Sequence, residues 1–280
     1  VYGRDPNHYH EDRRIEGWLN LRPSRPLVLA VGGGLAEHRA LSQETDWNLL
    51  GEELDPEGNL PAARLDDRFF GTGLNGLLGP LSLSGKLTWH EVTNSPYAGG
   101  YPGAESGRTY RHLELGTDFD TLDGLGNRWL LRGRYRNVDK PAPPQWLTWL
   151  GDYGTLRGYP AGELSGEVGT WASIDLRLNF DLWRAVRFPF LKKLGLQPIV
   201  FADWGETRNQ NRLLVGAPAI AGQQPLPIIQ GAQGSRVDAG FGFGRRMDLP
   251  GFGPHVNWRV YAAKPMDRKD GWRFLVAFEK

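Results

Sequence analysis

Strict two-residue alternation runs through most of this chain, and it leaves few folds open. From Leu81 to Trp89 one set of positions carries Leu81, Leu83, Gly85, Leu87 and Trp89, and the other carries Ser82, Ser84, Lys86, Thr88 and His90. A period of two belongs to an extended strand, whose successive side chains point to opposite faces. The contrast is sharper in 128–136, where Trp129, Leu131, Gly133 and Tyr135 oppose Arg128, Leu130, Arg132, Arg134 and Arg136. Leu113, Leu115, Thr117 and Phe119 oppose His112, Glu114, Gly116 and Asp118. In 171–182, Ala172, Ile174, Leu176, Leu178, Phe180 and Leu182 oppose Trp171, Ser173, Asp175, Arg177, Asn179 and Asp181.

Segments of this kind cover 14–22, 27–37, 68–78, 80–91, 108–119, 127–137, 168–182, 196–205, 236–247, 254–263 and 271–279. Most approach the roughly 9–11 residues that a tilted strand needs to cross a bilayer. Strands of soluble sandwiches alternate too, but usually run only about 5–6 residues. The pattern therefore predicts an all-β fold, an antiparallel transmembrane β-barrel with about 11–12 strands in this chain. Aromatic placement agrees. Trp89, Trp129, Trp204, Trp258 and Trp272 fall on apolar faces, several near strand ends, where a lipid-facing girdle would sit. Arg128, Arg132, Arg134 and Arg136 would then line the lumen.

Connections alternate in length as they do in outer-membrane barrels, which join short periplasmic turns to long extracellular loops. Short links fall at Pro23–Pro26, Gly79, Thr121–Gly126 and Pro250–Gly253, and long ones at 38–67, 92–107, 138–167 and 206–235. The basic amphipathic stretch 183–195 stands where a short turn is due and is expected to rest on headgroups as an interfacial turn with a short helix. This parity sends both 14–22 and the last strand downward. A preceding upward strand is expected either before this chain or within residues 1–13. Residues 1–280 are thus expected to form a single barrel domain, the carboxy-terminal part of a longer protein.

Composition closes other routes. With 38 glycines, long regular helices are not expected, and no run of 18 apolar residues exists to form a membrane-spanning helix. The chain has no cysteine, which excludes disulfides, thiolate metal sites and cysteine nucleophiles. A net charge of +1 gives no electrostatic footprint for nucleic acid. Gly71, Gly73 and Gly76 match a dinucleotide-loop spacing, but Gly79, Pro80 and another alternating strand follow where a helix would be needed. Those glycines are better read as relieving crowding in a curved strand. His8, His10 and Asp12 share a face at period two, a weak metal-like set; no metal or cofactor is expected, and no enzyme.

One loop carries a motif. Residues 151–159 read GDYGTLRGY, and Arg157, Gly158 and Tyr159 match the Arg-Gly-aromatic loop tip of the BamA/TamA-like superfamily, the bacterial surface antigen barrels. The strand with Ala172, Ser173, Ile174 and Asp175 resembles the one that follows this loop in the family. The run Phe201 to Gly205 (FADWG) is similar to the family's Phe-x-Asp-x-Gly strand. The run 237–244 (VDAGFGFG), then Gly253 and Pro254, then the closing strand from Trp272 to Phe278, follow in the family's order, and Arg14 to Gly17 (RIEG) resembles an early strand of shorter relatives.

The resemblance implies a barrel of about sixteen strands in all and a 138–167 loop that enters the lumen. It also implies a lock in which Arg157 meets carboxylates on the inner wall. Alternation puts Asp175 and Asp203 on the polar face, where a guanidinium can make charge-assisted, geometrically specific bonds. The implied function is insertion of outer-membrane proteins or polypeptide translocation, in a bacterial outer membrane. The implied partners are membrane lipid, lipopolysaccharide and unfolded client proteins. Two further classes are carried: a passive anchor for an amino-terminal domain, for example a hydrolase, and a diffusion channel with the arginine row setting selectivity.

Overall fold

The structure, a computed structural model, describes residues 10–40, 65–94, 107–139, 142, 146–160, 162–180, 196–209, 233–247, 256–269 and 271–279. Thirteen strands are present among the described residues: β1 His10–Ser24, β2 Leu27–Ala40, β3 Leu65–Leu78, β4 Leu81–Asn94, β5 Thr109–Leu122, β6 Arg128–Val138, β7 Thr148–Leu150, β8 Leu164–Gly166, β9 Val168–Arg177, β10 Gln197–Arg208, β11 Gly234–Met247, β12 Val256–Pro265 and β13 Arg273–Glu279. Eleven of them form one sheet in the order β1-β2-β3-β4-β5-β6-β9-β10-β11-β12-β13, with every neighbouring pair antiparallel. This is a meander in which sequential strands pair. Among the described residues the sheet is open, with β1 and β13 as its edges. No helix among them is long and apolar enough to cross a membrane.

The eleven alternating segments are the eleven strands of this sheet, with small shifts at their ends. β1 starts at His10, so residues 10–13 extend it and do not belong to a separate preceding strand. β9 stops at Arg177, short of the expected 182. The cause is non-local: the Asn179 N–H donates to Asn127 Oδ1 at 2.9 Å, and its amide donates to the Leu125 carbonyl, which draws the chain onto the β5–β6 turn. The pair β7–β8 forms a separate two-stranded sheet inside the 138–167 connection. His8, the segment 183–195, Pro250–Gly253 and most of the other long connections lie outside the described residues.

Cross-strand register fixes the two faces. Leu130 stands opposite Asp175, Phe201 opposite Asp175, and Asp203 opposite Asp238. The face that bears these residues, here the inner face, also carries Arg128, Arg132, Arg134 and Arg136. The outer face carries Ile15, Leu19, Leu35, Phe70, Leu74, Leu83, Leu115, Leu131, Ile174, Val200, Phe241, Phe274 and Val276, all exposed. Trp89, Trp129, Trp204, Trp258 and Trp272 are on it too. Trp89, Trp204 and Trp272 lie toward the end of the sheet that carries the β4–β5, β10–β11 and β12–β13 connections, and Trp129 and Trp258 toward the opposite end, near the starts of β6 and β12.

The core lies on the inner face and includes the connection that returns to it. Leu65, Val92, Tyr110, Val138, Ala142 and Trp146 form one buried cluster, and Ile199, Phe201, Tyr261, Ala263 and Ala277 another. A third, Leu150, Leu156, Tyr159 and Leu164, belongs to the connection itself and packs on Trp171. Gly71 has a steric purpose here: a Cβ there would lie 2.4 Å from Thr88 Cγ2 and 3.1 Å from the Trp18 ring. That inward-facing indole needs room, and the Lys86 ammonium sits 5.0 Å from its centre. No nucleotide-binding loop exists there, since the glycines lie inside β3.

Candidate functional site

The connection from β6 to β9 turns back on itself through a tight bend. Gly151 has φ 131° and Asp152 φ 73°, a left-handed conformation that glycine takes freely and that aspartate tolerates better than most residues. The Asp152 N–H donates to the Tyr159 carbonyl at 3.0 Å, and the Gly151 N–H to Thr155 Oγ1 at 2.8 Å. This closes residues 151–159 into a compact hairpin-like tip. Leu156 and Tyr159 are buried, so apolar burial favours docking of the tip before any charge is counted.

Docking carries Arg157 to the inner wall, where it is 2% exposed. Its Nε donates to Asp203 Oδ2 at 2.7 Å and its Nη2 to Asp203 Oδ1 at 2.7 Å, a bidentate pair. Nη2 also donates to Asp175 Oδ1 at 2.7 Å and to Ser173 Oγ at 3.1 Å, and the Arg157 backbone N–H donates to Asp203 Oδ2 at 3.2 Å. The guanidinium lies 3.6 Å from the Phe201 ring centre and 5.0 Å from that of Tyr261. Burial opposes its charge, but Asp203 and Asp175 outweigh that cost and hold its pKa above the ordinary arginine value. Two strands thus supply the carboxylates and two the aromatic platform.

Gly158 is required by space. A Cβ there would lie 2.7 Å from Asp238 Cβ and 3.1 Å from the Pro265 nitrogen, so only glycine lets the tip approach β11 and β12. Tyr159 completes the anchor: its hydroxyl is hydrogen-bonded with the Val237 carbonyl at 3.0 Å and with Asp267. Burial first, and Asp267 second, push this phenol above its usual pKa, which keeps it a neutral donor. Arg268 stacks 4.8 Å from its ring centre.

Several members of the site were not readable from the sequence. Glu163 accepts from Arg236 at 3.2 Å and from Arg268 at 3.1 Å, and Arg273, the first residue of β13, donates to the Tyr159 carbonyl and lies 3.4 Å from Asp152. These ties run from the tip to β11, β13 and the β12–β13 connection, across separations of up to 121 residues. No local motif marks them. Asp238, fully buried opposite Asp203, lies in the run 237–244 that resembles the family, but it was not among the carboxylates expected at the lock.

The arginine row is not a bare strip of charge. Arg134 meets Asp118 at 2.8 Å, Arg136 meets Glu114 at 3.2 Å, Arg128 meets Asp120, and Arg132 lies 3.6 Å from the second oxygen of Asp175. The row therefore joins the site through Asp175, which Arg132 and Arg157 share. Among the described residues no grouping is arranged to hold a metal ion. Asp12, one of the metal-like set, pairs with Arg14 instead.

No family model and no curated protein sequence matches the chain. Solved structures do. BamA from Haemophilus ducreyi lacking POTRA domains 1–3 superposes with a TM-score of 0.58 at 14% identity, covering 96% of this chain and 53% of that one. CdiB from Escherichia coli gives a TM-score of 0.58 at 14% identity, covering 96% of this chain and 44% of that one. This chain therefore spans about half the length of either. What it shares with both, over nearly its whole length, is their fold.

Proposed function

We propose that this chain is the barrel of a bacterial outer-membrane protein that assists insertion of other outer-membrane proteins or translocates a polypeptide. The observation that carries the proposal is the Arg157 tip, held between Asp203 and Asp175 on the inner face of a sheet whose other face is apolar and exposed. An outer surface with Ile15 81% and Phe274 74% exposed suits lipid, not water. In this reading the inner face is the lumen and the five outer tryptophans mark the lipid interfaces. Lipid and lipopolysaccharide surround the outer face, and the 138–167 connection is the lumen-entering loop.

The fold of BamA and CdiB supports the same reading. So do the edges β1 and β13, since unpaired strand edges are templates for strand addition by a client. A diffusion channel fits less well, because a docked loop occupies the inner face and the arginines are paired with acidic residues.

The test is reconstitution of the full-length protein in lipid vesicles with an unfolded outer-membrane protein as client. Faster client folding, or transfer of a polypeptide across the bilayer, is expected. A correctly inserted protein that does neither would overturn the role. Full solubility of the protein without detergent would overturn the location.

A further inference from the structure

The outer face of β1 to β6 differs between its two ends. At the end that carries the β1–β2, β3–β4 and β5–β6 turns its positions hold Leu21, Leu29, Leu78, Leu81, Phe119 and Trp129, with no charge. At the opposite end they hold charges of both signs. Arg13 stands opposite Glu37 in register. Arg68 stands opposite Glu91, its Nε donating to Oε2 at 3.0 Å and its Nη2 to Oε1 at 2.9 Å. Arg111 Nε donates to Asp139 Oδ2 at 2.9 Å, and its backbone N–H to Oδ1 at 2.9 Å. The belt lies at and just beyond the aromatic girdle. Arg111 is opposite Trp89 in register, and Phe70 stacks on Trp89 with ring centres 5.9 Å apart. Arg68 and Glu91 are each two residues from these rings along their own strands, about 7 Å.

We propose that this belt is a docking surface for lipopolysaccharide: its guanidiniums take phosphates of the headgroup, and its carboxylates share the divalent cations that those phosphates carry. The proposal rests on the reading of the chain as an outer-membrane barrel and names which residues meet the headgroups. Exposed ion pairs stabilise a fold little, and the side chains of Arg68 and Arg111 are 61% and 65% exposed. Both keep donors to spare. Arg68 commits Nε and Nη2 to Glu91, and Arg111 commits only Nε, so Nη1 of the first and both Nη groups of the second make no hydrogen bond among the described residues. A planar guanidinium presents such donors to phosphate oxygens in matching geometry.

The mixed sign of the belt selects among headgroups. Arg13, Arg68 and Arg111 balance Glu37, Glu91 and Asp139, so the six together exert no net pull on a bare anion. Magnesium is commonly held by one or two carboxylates together with phosphate oxygens, and a layer of phosphates bridged by divalent cations therefore offers a partner to each sign. The confinement of the belt to one end points the same way. A barrel meets headgroups at both ends, and a phospholipid present in both leaflets would call for the same belt at each. The long-connection end of an outer-membrane barrel faces outward, into the leaflet built of lipopolysaccharide.

Native mass spectrometry of the full-length protein, released from detergent micelles in the presence of magnesium, tests this with four probes: bis-phosphorylated lipid A, the same lipid A with its phosphates removed, phosphatidylethanolamine and phosphatidylglycerol. Lipid A with its phosphates should be retained in preference to the other three, and a chelator should weaken its retention. An arginine near an anionic lipid surface contributes about fivefold in affinity, so Arg68→Gln with Arg111→Gln should lower retention roughly thirtyfold. Glu91→Gln with Asp139→Asn should remove the effect of the chelator. Arg25→Gln, in the β1–β2 turn at the other end, should change nothing. Equal retention of phosphorylated and dephosphorylated lipid A would overturn the proposal, as would equal retention of either phospholipid or an unaltered affinity in the double arginine variant. A protein that inserts into bilayers and holds phospholipid but not lipid A would fail this proposal alone. One that stays soluble without detergent would fail the outer-membrane reading beneath it.

Discussion

Replacing Arg157 by alanine removes a guanidinium that makes two bonds to Asp203, one to Asp175 and one to Ser173. Both carboxylates stay buried and lose their best partner; Arg132, 3.6 Å from Asp175, compensates only one of them. Breaking a buried ion pair from one side typically costs about 3–5 kcal/mol. Loss of the desolvated contacts with Phe201 and Tyr261 adds up to about 2 kcal/mol. The tip keeps its apolar cluster and the bonds of Tyr159 and Arg273, so the cost falls on local opening of the loop.

At about 1.4 kcal/mol per decade, 3–5 kcal/mol makes the open form roughly 10²–10⁴ times more populated. Amide hydrogen exchange of peptides spanning 148–160, in micelles or nanodiscs, reads this directly. The N–H groups of Asp152 and Arg157 are bonded within the docked tip and should lose protection by two decades or more. Asp203→Ala should have a similar effect. The double variant should fall short of the sum by at least about 1 kcal/mol, as for residues in direct contact. Unchanged exchange in Arg157→Ala, or strict additivity, would refute the ion-pair account.

Gly158→Ala should displace the tip as strongly as loss of Arg157, because the added methyl meets Asp238 and Pro265 rather than a flexible side-chain end; exchange over 148–160 checks it, and wild-type protection would count against the space argument. Asp123 organises the β5–β6 turn by accepting from Asn127, Leu125 and the Trp129 indole, and its carboxyl is held below the usual carboxylate range, by Asn127 first. A depressed folded pKa stabilises above the ordinary value of about 3.9 and is lost as pH falls through the folded one. Exchange at Leu125 and Asn127 should therefore be flat from pH 7 to about 5 after correction for intrinsic rates, and rise only in stronger acid; Asp123→Ala should show the faster exchange at every pH.

The strands were legible because a period of two is a local property, written in each segment without reference to its partners. That is why the faces of Arg132, Asp175 and Asp203 follow from alternation alone. What depends on other segments was not. β9 ends early because Asn179 bonds to a turn about 52 residues away. The β7–β8 pair is three residues long on each side, too short for alternation to show. His38 and His90 both bond Asp67 on the inner face, across separations of 29 and 23 residues, and no motif spacing connects them. The neutralisation of the arginine row depends equally on the β5–β6 register, which places Glu114 opposite Arg136.

The central claim is that the face bearing Leu131 meets lipid and the face bearing Arg132, with the docked Arg157, meets water inside a barrel. A one-residue slip of β6 would put its arginines into hydrocarbon at roughly 2–4 kcal/mol each near the midplane, so the assignment has no intermediate form. Single cysteines at positions 131 and 132, spin-labelled in lipid bilayers and probed with a lipid-soluble and a water-soluble quencher, test it most directly. The label at 131 should respond to the lipid-soluble quencher and that at 132 to the water-soluble one. Equal response at the two positions, or the reverse order, would contradict the account.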